Sequence, residues 1–246
     1  MQADPSAQRA LLLMADLATQ VAQLQHRKQT LPEHAQLATL AAQRAQLGEQ
    51  VVASQTRLGD AETEQERVES DLEPARARLE RNQKLIDEGG VDAKALQSLI
   101  DETAHLRGRI TKLEDNQLDI MQTVEDETAV RDQLIAKKTT IEQQMRELLA
   151  SRDSAGRDLD GQISNLDLQR TQLVAGLPSE LVALYDKIAA RNNGTGAAEL
   201  RARRCTGCGL ELDVAELNRH ANATPAEVLR CEECGRILVR TDQSGL

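Results

Sequence analysis

Asp87-Glu88-Gly89-Gly90-Val91-Asp92 is the stretch on which the fold depends. Adjacent glycines supply the positive-φ conformations that end a helix, and the Asp92 carboxylate can accept from free N–H groups at the start of another. On its N-terminal side, alternate steps of four and three residues from Leu40 pass through Leu47, Val51, Leu58, Val68, Leu72, Ala75 and Leu79 to Ile86, and ten of the fourteen positions are apolar. On its C-terminal side the same stepping runs from Leu96 to Leu173 in one phase, with fifteen of twenty-three positions apolar. Spacing that averages 3.5 residues over many turns specifies a left-handed coiled coil.

Two such stripes across a glycine turn predict an antiparallel hairpin. Folding about Gly90 brings Leu58 near Val124, Leu72 near Ile110 and Gln65 near Gln117, so apolar meets apolar and polar meets polar. Arms of roughly 85 residues, rising 1.5 Å per residue, predict a length of about 130 Å. Glu127, Arg131 and Lys138 occupy stripe positions, with Arg44 expected opposite Lys138. They read as side chains that set register or reach out to water. An earlier heptad, Leu17, Val21, Leu24 and Leu31, is out of phase with Leu40 onward, and Pro32 marks the break. Gly156 and Gly161 make a soft place in the second arm.

Composition fits long solvated helices. The chain has 246 residues, one aromatic (Tyr185), 28% charged residues and a formal net charge of -10. Globular cores draw on aromatic rings for buried area, so a single compact domain is excluded. The run Leu11-Leu12-Leu13-Met14-Ala15 is broken by Asp16 and has no basic flank, which predicts neither a signal peptide nor a membrane span. Gly176-Leu177-Pro178 ends the second arm, and Leu181, Leu184, Tyr185 and Ile188 then lie on one side of a short helix. Tyr185 reads as packing between stalk and head.

All four cysteines fall near the C-terminus, as Cys205-x2-Cys208 and Cys231-x2-Cys234, with a glycine after each pair. Zn²⁺ takes four tetrahedral thiolates in such sites, and the glycines suit tight knuckles. The pattern predicts one structural zinc ion with no open coordination position. Disulfides are not expected in a reducing compartment. His220 reads as a surface residue outside the ligand set. Short strands are expected at Glu199 to Arg204, Val228 to Arg230 and Ile237 to Val239. The expected fold is therefore mainly α: a long antiparallel coiled-coil helical hairpin over residues 1–176, turning near 88–92 and kinked near 32. A short connecting helix and linker follow over 177–196, and then a small β-rich four-cysteine zinc ribbon over 197–246.

Lys94-Ala95-Leu96-Gln97, the run Arg107-Gly108-Arg109-Ile110-Thr111-Lys112-Leu113-Glu114-Asp115, Cys205-Thr206-Gly207-Cys208 and Cys231-Glu232-Glu233-Cys234-Gly235-Arg236-Ile237-Leu238 together carry a resemblance. The chain resembles the bacterial family of four-cysteine zinc-ribbon proteins with an N-terminal coiled-coil hairpin. It departs from the family pattern at Ala95, where relatives often carry an acid, and at Val239, where an aromatic is common. The resemblance implies a cytoplasmic interaction protein. Some relatives are linked to an alternative sigma factor and to flagellar or type III secretion components, and nucleic-acid binding is often proposed for the ribbon.

The leading expectation is a non-enzymatic scaffold, a monomer or weak homodimer, that binds protein partners through the hairpin, the ribbon or both. The alternative is a DNA- or RNA-binding protein acting through Arg201, Arg203, Arg204 and Arg236 on a basic face of the ribbon, Arg201 and Arg203 sharing one side of a strand. Against it, residues 197–246 hold seven arginines and eight acids, and a tetrathiolate zinc adds about two further negative charges. The ribbon also lacks the aromatic platforms on which single strands stack. His26, His34 and His105 lie scattered along the hairpin with no convergent nucleophile, and no phosphate-binding glycine loop is present, so no enzyme is expected.

Overall fold

The computed structural model describes residues 1–246. Five helices, α1 (Pro5–Gln29), α2 (Pro32–Glu88), α3 (Ala93–Ala175), α4 (Ser179–Ala189) and α5 (Val214–Asn222), accompany four short strands, β1 (Ala197–Arg201), β2 (Arg204–Cys205), β3 (Leu229–Arg230) and β4 (Ile237–Arg240). No helix is long and apolar enough to cross a membrane. The chain divides into two compact units, Ala35–Leu148 and Met1–His34 with Leu149–Leu246.

The unit Ala35–Leu148 is an antiparallel helical pair. Gly89 and Gly90 carry φ of 68° and 93°, and Asp92 Oδ1 accepts from the N–H groups of Lys94 at 3.0 Å and Ala95 at 2.8 Å. Every buried side chain of α2, from Val51 through Leu58, Val68, Leu72 and Ala75 to Asn82, lies on the stripe that starts at Leu40. Pro74 sits within α2 without ending it, beside the buried Leu72 and Ala75. Two polar stripe positions meet across the pair: Glu127 Oε1 accepts from Arg57 Nε at 2.9 Å, and Ser54 Oγ lies 3.5 Å from Glu127 Oε2, whereas Arg131 pairs with Asp132 on its own helix and buried Asn82 Nδ2 and Thr103 Oγ1 have no partner. Arg44 ion-pairs with Glu142 at 2.7 Å, one helical turn beyond Lys138, the residue expected opposite it.

The other unit joins elements that the sequence reading assigned to separate domains. Ala3, Ala7, Leu11 and Met14 from the α1 end form one core with Leu181, Tyr185, Ile188 and Ala189 of α4, Ala197 of β1 and Ile237 and Val239 of β4. The first residues also pair with the ribbon: Ala3 N–H donates to Ala226 O at 2.7 Å, and Val228 N–H donates to Met1 O at 3.1 Å. Buried Gln8 closes the joint, its Nε2 donating to Ala3 O at 2.9 Å and Pro225 O at 3.3 Å. Leu11 and Met14 are fully buried where this end of α1 packs on α4 and the sheet. Further along, Lys28 Nζ pairs with Asp160 at 2.7 Å. A Cβ on Gly156 would meet only Lys28 Cε, at an ordinary 3.9 Å, and α3 runs unbroken through Gly156 and Gly161.

The sheet has the order β2-β1-β4-β3. β1 pairs parallel with β4, Ala197 against Ile237 and Ala198 against Leu238, while β1–β2 and β3–β4 are antiparallel. A second, smaller core of Ala198, Leu200, Cys205, Leu212, Cys231 and Leu238 lies within the ribbon.

Candidate metal centre

The two knuckles close in the same way. In the first, Cys205 N–H donates to Leu210 O at 3.0 Å and Gly209 N–H to Cys205 O at 2.8 Å; in the second, Cys231 N–H donates to Arg236 O at 3.0 Å and Gly235 N–H to Cys231 O at 2.9 Å. Each turn needs a positive φ at its glycine, 78° at Gly209 and 71° at Gly235, a conformation that costs glycine little. The repeated geometry turns all four sulfurs inward.

Cys205 and Cys234 Sγ atoms lie 3.8 Å apart, and those of Cys208 and Cys231 lie 3.9 Å apart. All four fall within 4.8 Å of one another. A tetrahedral ion with Zn–S bonds of about 2.3 Å requires S···S separations near 3.8 Å, so the cysteines are positioned to hold one metal ion. No position remains for water, and the metal is of the structural kind.

Without a cation, burial disfavours the thiolate form of two of these cysteines. Burial pushes Cys205 up to about 11 and raises Cys231 as well. Burial also acts to raise Cys234, but the Arg236 N–H and the neighbouring cysteines outweigh it, and its pKa is lowered. A divalent cation removes the penalty by replacing protons, so its binding energy becomes folding energy for the ribbon.

Around the centre, helix α5 was not anticipated from sequence. Its signal was present: Asp213 accepts from Glu216 N–H at 2.7 Å, and Asp213-Val214-Ala215-Glu216 carries an acidic cap followed by Glu at the third helical position. The helix buries Glu216 and His220. His220 is therefore not the surface residue expected; burial lowers its pKa, and Arg240 Nη1 donates to its carbonyl at 3.0 Å. Asp213, Glu216 and Glu232 form a second acidic group, answered by Arg219, which ion-pairs with Glu232, and by Glu232 N–H, which donates to Glu216 Oε1 at 3.1 Å.

The alternative reading has Arg201 and Arg203 on one side of a single strand, and the structure does not continue that strand through both. β1 stops at Arg201, Ala202 and Arg203 turn through φ of 45° and 65°, and β2 begins at Arg204. Arg201 therefore does not share a strand side with Arg203. Each is engaged locally: Arg201 with Glu199 at 2.8 Å, Arg203 Nε with Gly245 O at 3.1 Å, Arg204 with Glu211 at 3.1 Å. Arg230 Nε donates to Gly235 O at 2.9 Å, and Arg240 also caps Ala223 at 2.8 Å. Arg236 is half-buried and bonded to backbone oxygens. Tyr185, the lone aromatic, is buried in the core and offers no stacking surface.

A helical hairpin carrying a four-cysteine zinc ribbon is thus the class that fold and site define. Residues 14–193 match the CT398-like coiled coil hairpin domain and residues 204–238 match the C4-type zinc ribbon domain. The chain belongs to the CT398-like coiled-coil hairpin family. It is 31% identical to the uncharacterized protein Rv2229c of Mycobacterium tuberculosis over 249 residues, covering 98% of both chains. A solved structure from Mycobacterium smegmatis, also 31% identical, superposes with a TM-score of 0.87 over 98% of this chain and 100% of that one. CT398 from Chlamydia trachomatis shares the fold at 17% identity, with a TM-score of 0.66 over 96% and 98% of the two chains. Both matched domains are structural, and neither indicates an enzyme family.

Proposed function

We propose that this chain is a non-enzymatic scaffold that acts in the cytoplasm, using its coiled-coil hairpin and zinc ribbon as surfaces for protein partners. The observation that carries this reading is the employment of the ribbon's polar groups. All four thiols face one another, and all seven arginines have acceptors within the protein. On this reading the ribbon is a fixed shape whose arginines already have partners of their own, which favours protein contacts over binding of a polyanion. The hairpin unit meanwhile exposes Val52 (62%) and Leu118 (65%) outside the paired stripe. These two exposed apolar side chains are the positions chosen to probe a partner contact on the hairpin.

The test uses the zinc-loaded full chain as bait, beside Val52→Glu with Leu118→Glu and beside Arg201→Ala with Arg204→Ala. A protein held by the wild type and the arginine variant, and lost with the hairpin variant, is the expected result. The same preparations are titrated with single- and double-stranded DNA and RNA over a range of salt. Nucleic-acid affinity that falls steeply with salt and disappears in the arginine variant would establish the rival reading.

A further inference from the structure

We infer that Arg236 is a positioning residue that couples occupancy of the four-cysteine centre to the linker between α4 and β1. Three separate pieces of chain meet at this one residue. Its carbonyl accepts from Cys231 N–H at 3.0 Å, which fixes the second knuckle. Its Nη1 donates to Gly207 O at 3.2 Å, inside the first knuckle between Cys205 and Cys208. Its Nε donates to Thr195 O at 3.2 Å and Thr195 Oγ1 at 3.1 Å, and its Nη2 to Asn192 O at 3.2 Å, all in the linker.

The fork suits this role because guanidinium is planar and presents five donors in fixed directions, so one side chain can hold acceptors on different segments. A lysine ammonium is a compact point charge without that fixed fork. The surroundings are built to admit it. A Cβ on Gly207 would stand 2.7 Å from Arg236 Cδ and 3.0 Å from the Ala198 Cβ, so the knuckle is glycine where the guanidinium stem passes. On the linker side, Ile237 N–H donates to Gly196 O at 2.9 Å, which continues the linker into the sheet beside Arg236 itself. A metal ion bound by all four cysteines would tie the two knuckles to each other, and Gly207 O belongs to the first of them. A metal-bound knuckle therefore presents Gly207 O to Arg236, and the same guanidinium is then in place for Asn192 and Thr195. Linkage requires the reverse as well: an ordered linker must favour the metal-bound knuckles.

Hydrogen exchange of the full chain, zinc-loaded and then chelated under reducing conditions, reads the coupling directly. Chelation is expected to raise exchange at residues 192–197 together with both knuckles. Arg236→Gln and Arg236→Lys are expected to surrender zinc to a chromophoric chelator about tenfold more readily, as loss of a supporting partner does in other metal sites. In both, residues 192–197 should exchange rapidly even with zinc bound. Thr195→Ala removes the hydroxyl that accepts from Arg236 and itself donates to Asn192 O at 3.0 Å, and residue 195 lies well away in sequence from every cysteine; it too should weaken zinc retention, by a smaller factor. Linker exchange in the wild type that is unchanged by chelation would overturn the coupling, and so would wild-type zinc retention in all three variants. Should the arginine variants fail to fold, the wild-type exchange and Thr195→Ala decide the matter alone.

Discussion

Gly196 packs directly on Tyr185: a Cβ at residue 196 would lie 2.3 Å from the Tyr185 carbonyl oxygen and 2.8 Å from its ring. The nearest atom is backbone, which cannot rotate away. Gly196→Ala is expected to cost about 1–3 kcal/mol, the usual penalty for overpacking. Because Tyr185 is the only aromatic, intrinsic fluorescence during denaturant unfolding reports on this core alone. An unchanged midpoint would show that the linker can shift without loss.

Leu11 and Met14 are fully buried against α4 and the sheet. Leu11→Ala or Met14→Ala should destabilise by about 2–5 kcal/mol, and the ribbon should lose cooperativity with it. Proteolysis of residues 197–246 in the two variants checks this. A ribbon as resistant as in the wild type would mean that α1 contributes nothing to it.

Zinc removal under reducing conditions should open the knuckles and loosen the Tyr185 core, since Ile237 and Val239 leave β4 together with the ribbon. The helical far-ultraviolet signal should stay largely intact, because the seam of α2 depends on Val51, Leu58, Val68 and Leu72 and not on metal. Carefully purified protein should hold one zinc per chain; a content near zero with reduced thiols would refute the assignment.

Acid should weaken the hairpin unit. The hydrogen bond from Arg57 lowers the pKa of Glu127 from its ordinary 4.5, burial opposing it, and Arg44 does the same for Glu142. A carboxylate with a depressed pKa contributes stability that is complete above the unfolded value and is lost as pH falls through the folded one. Thermal unfolding midpoints should therefore decline below about pH 4.5. Glu127→Gln should flatten that decline, and a variant with the wild-type pH profile would show that the Arg57 contact is inconsequential.

The hairpin was legible because a heptad is a long, redundant signal: Leu58, Val68 and Leu72 each repeat the same statement. The cysteine centre was legible because metal ligands have fixed spacing and glycines 209 and 235 follow it. What escaped was carried by single contacts between distant segments. Nothing periodic marks Gln8 as the partner of Pro225 O, and Arg236 looks like any surface cation until the carbonyls of Asn192, Thr195 and Gly207 are seen around it. His220 was misplaced because α5 was missed, although its cap at Asp213 was there to be read.

The pairing of Ala3 with Ala226 has a consequence for how the chain is made. Translation at about 5–20 residues per second delivers the apolar face of α1 on the order of 10–50 s before the segment that covers it. During that interval Leu11 and Met14 have no final neighbours, whereas α2 and α3 can zip from their glycine turn as soon as both have emerged. The nascent protein should therefore pass through a stage with a finished hairpin and a sticky leading end, and that end is where a chaperone would be needed.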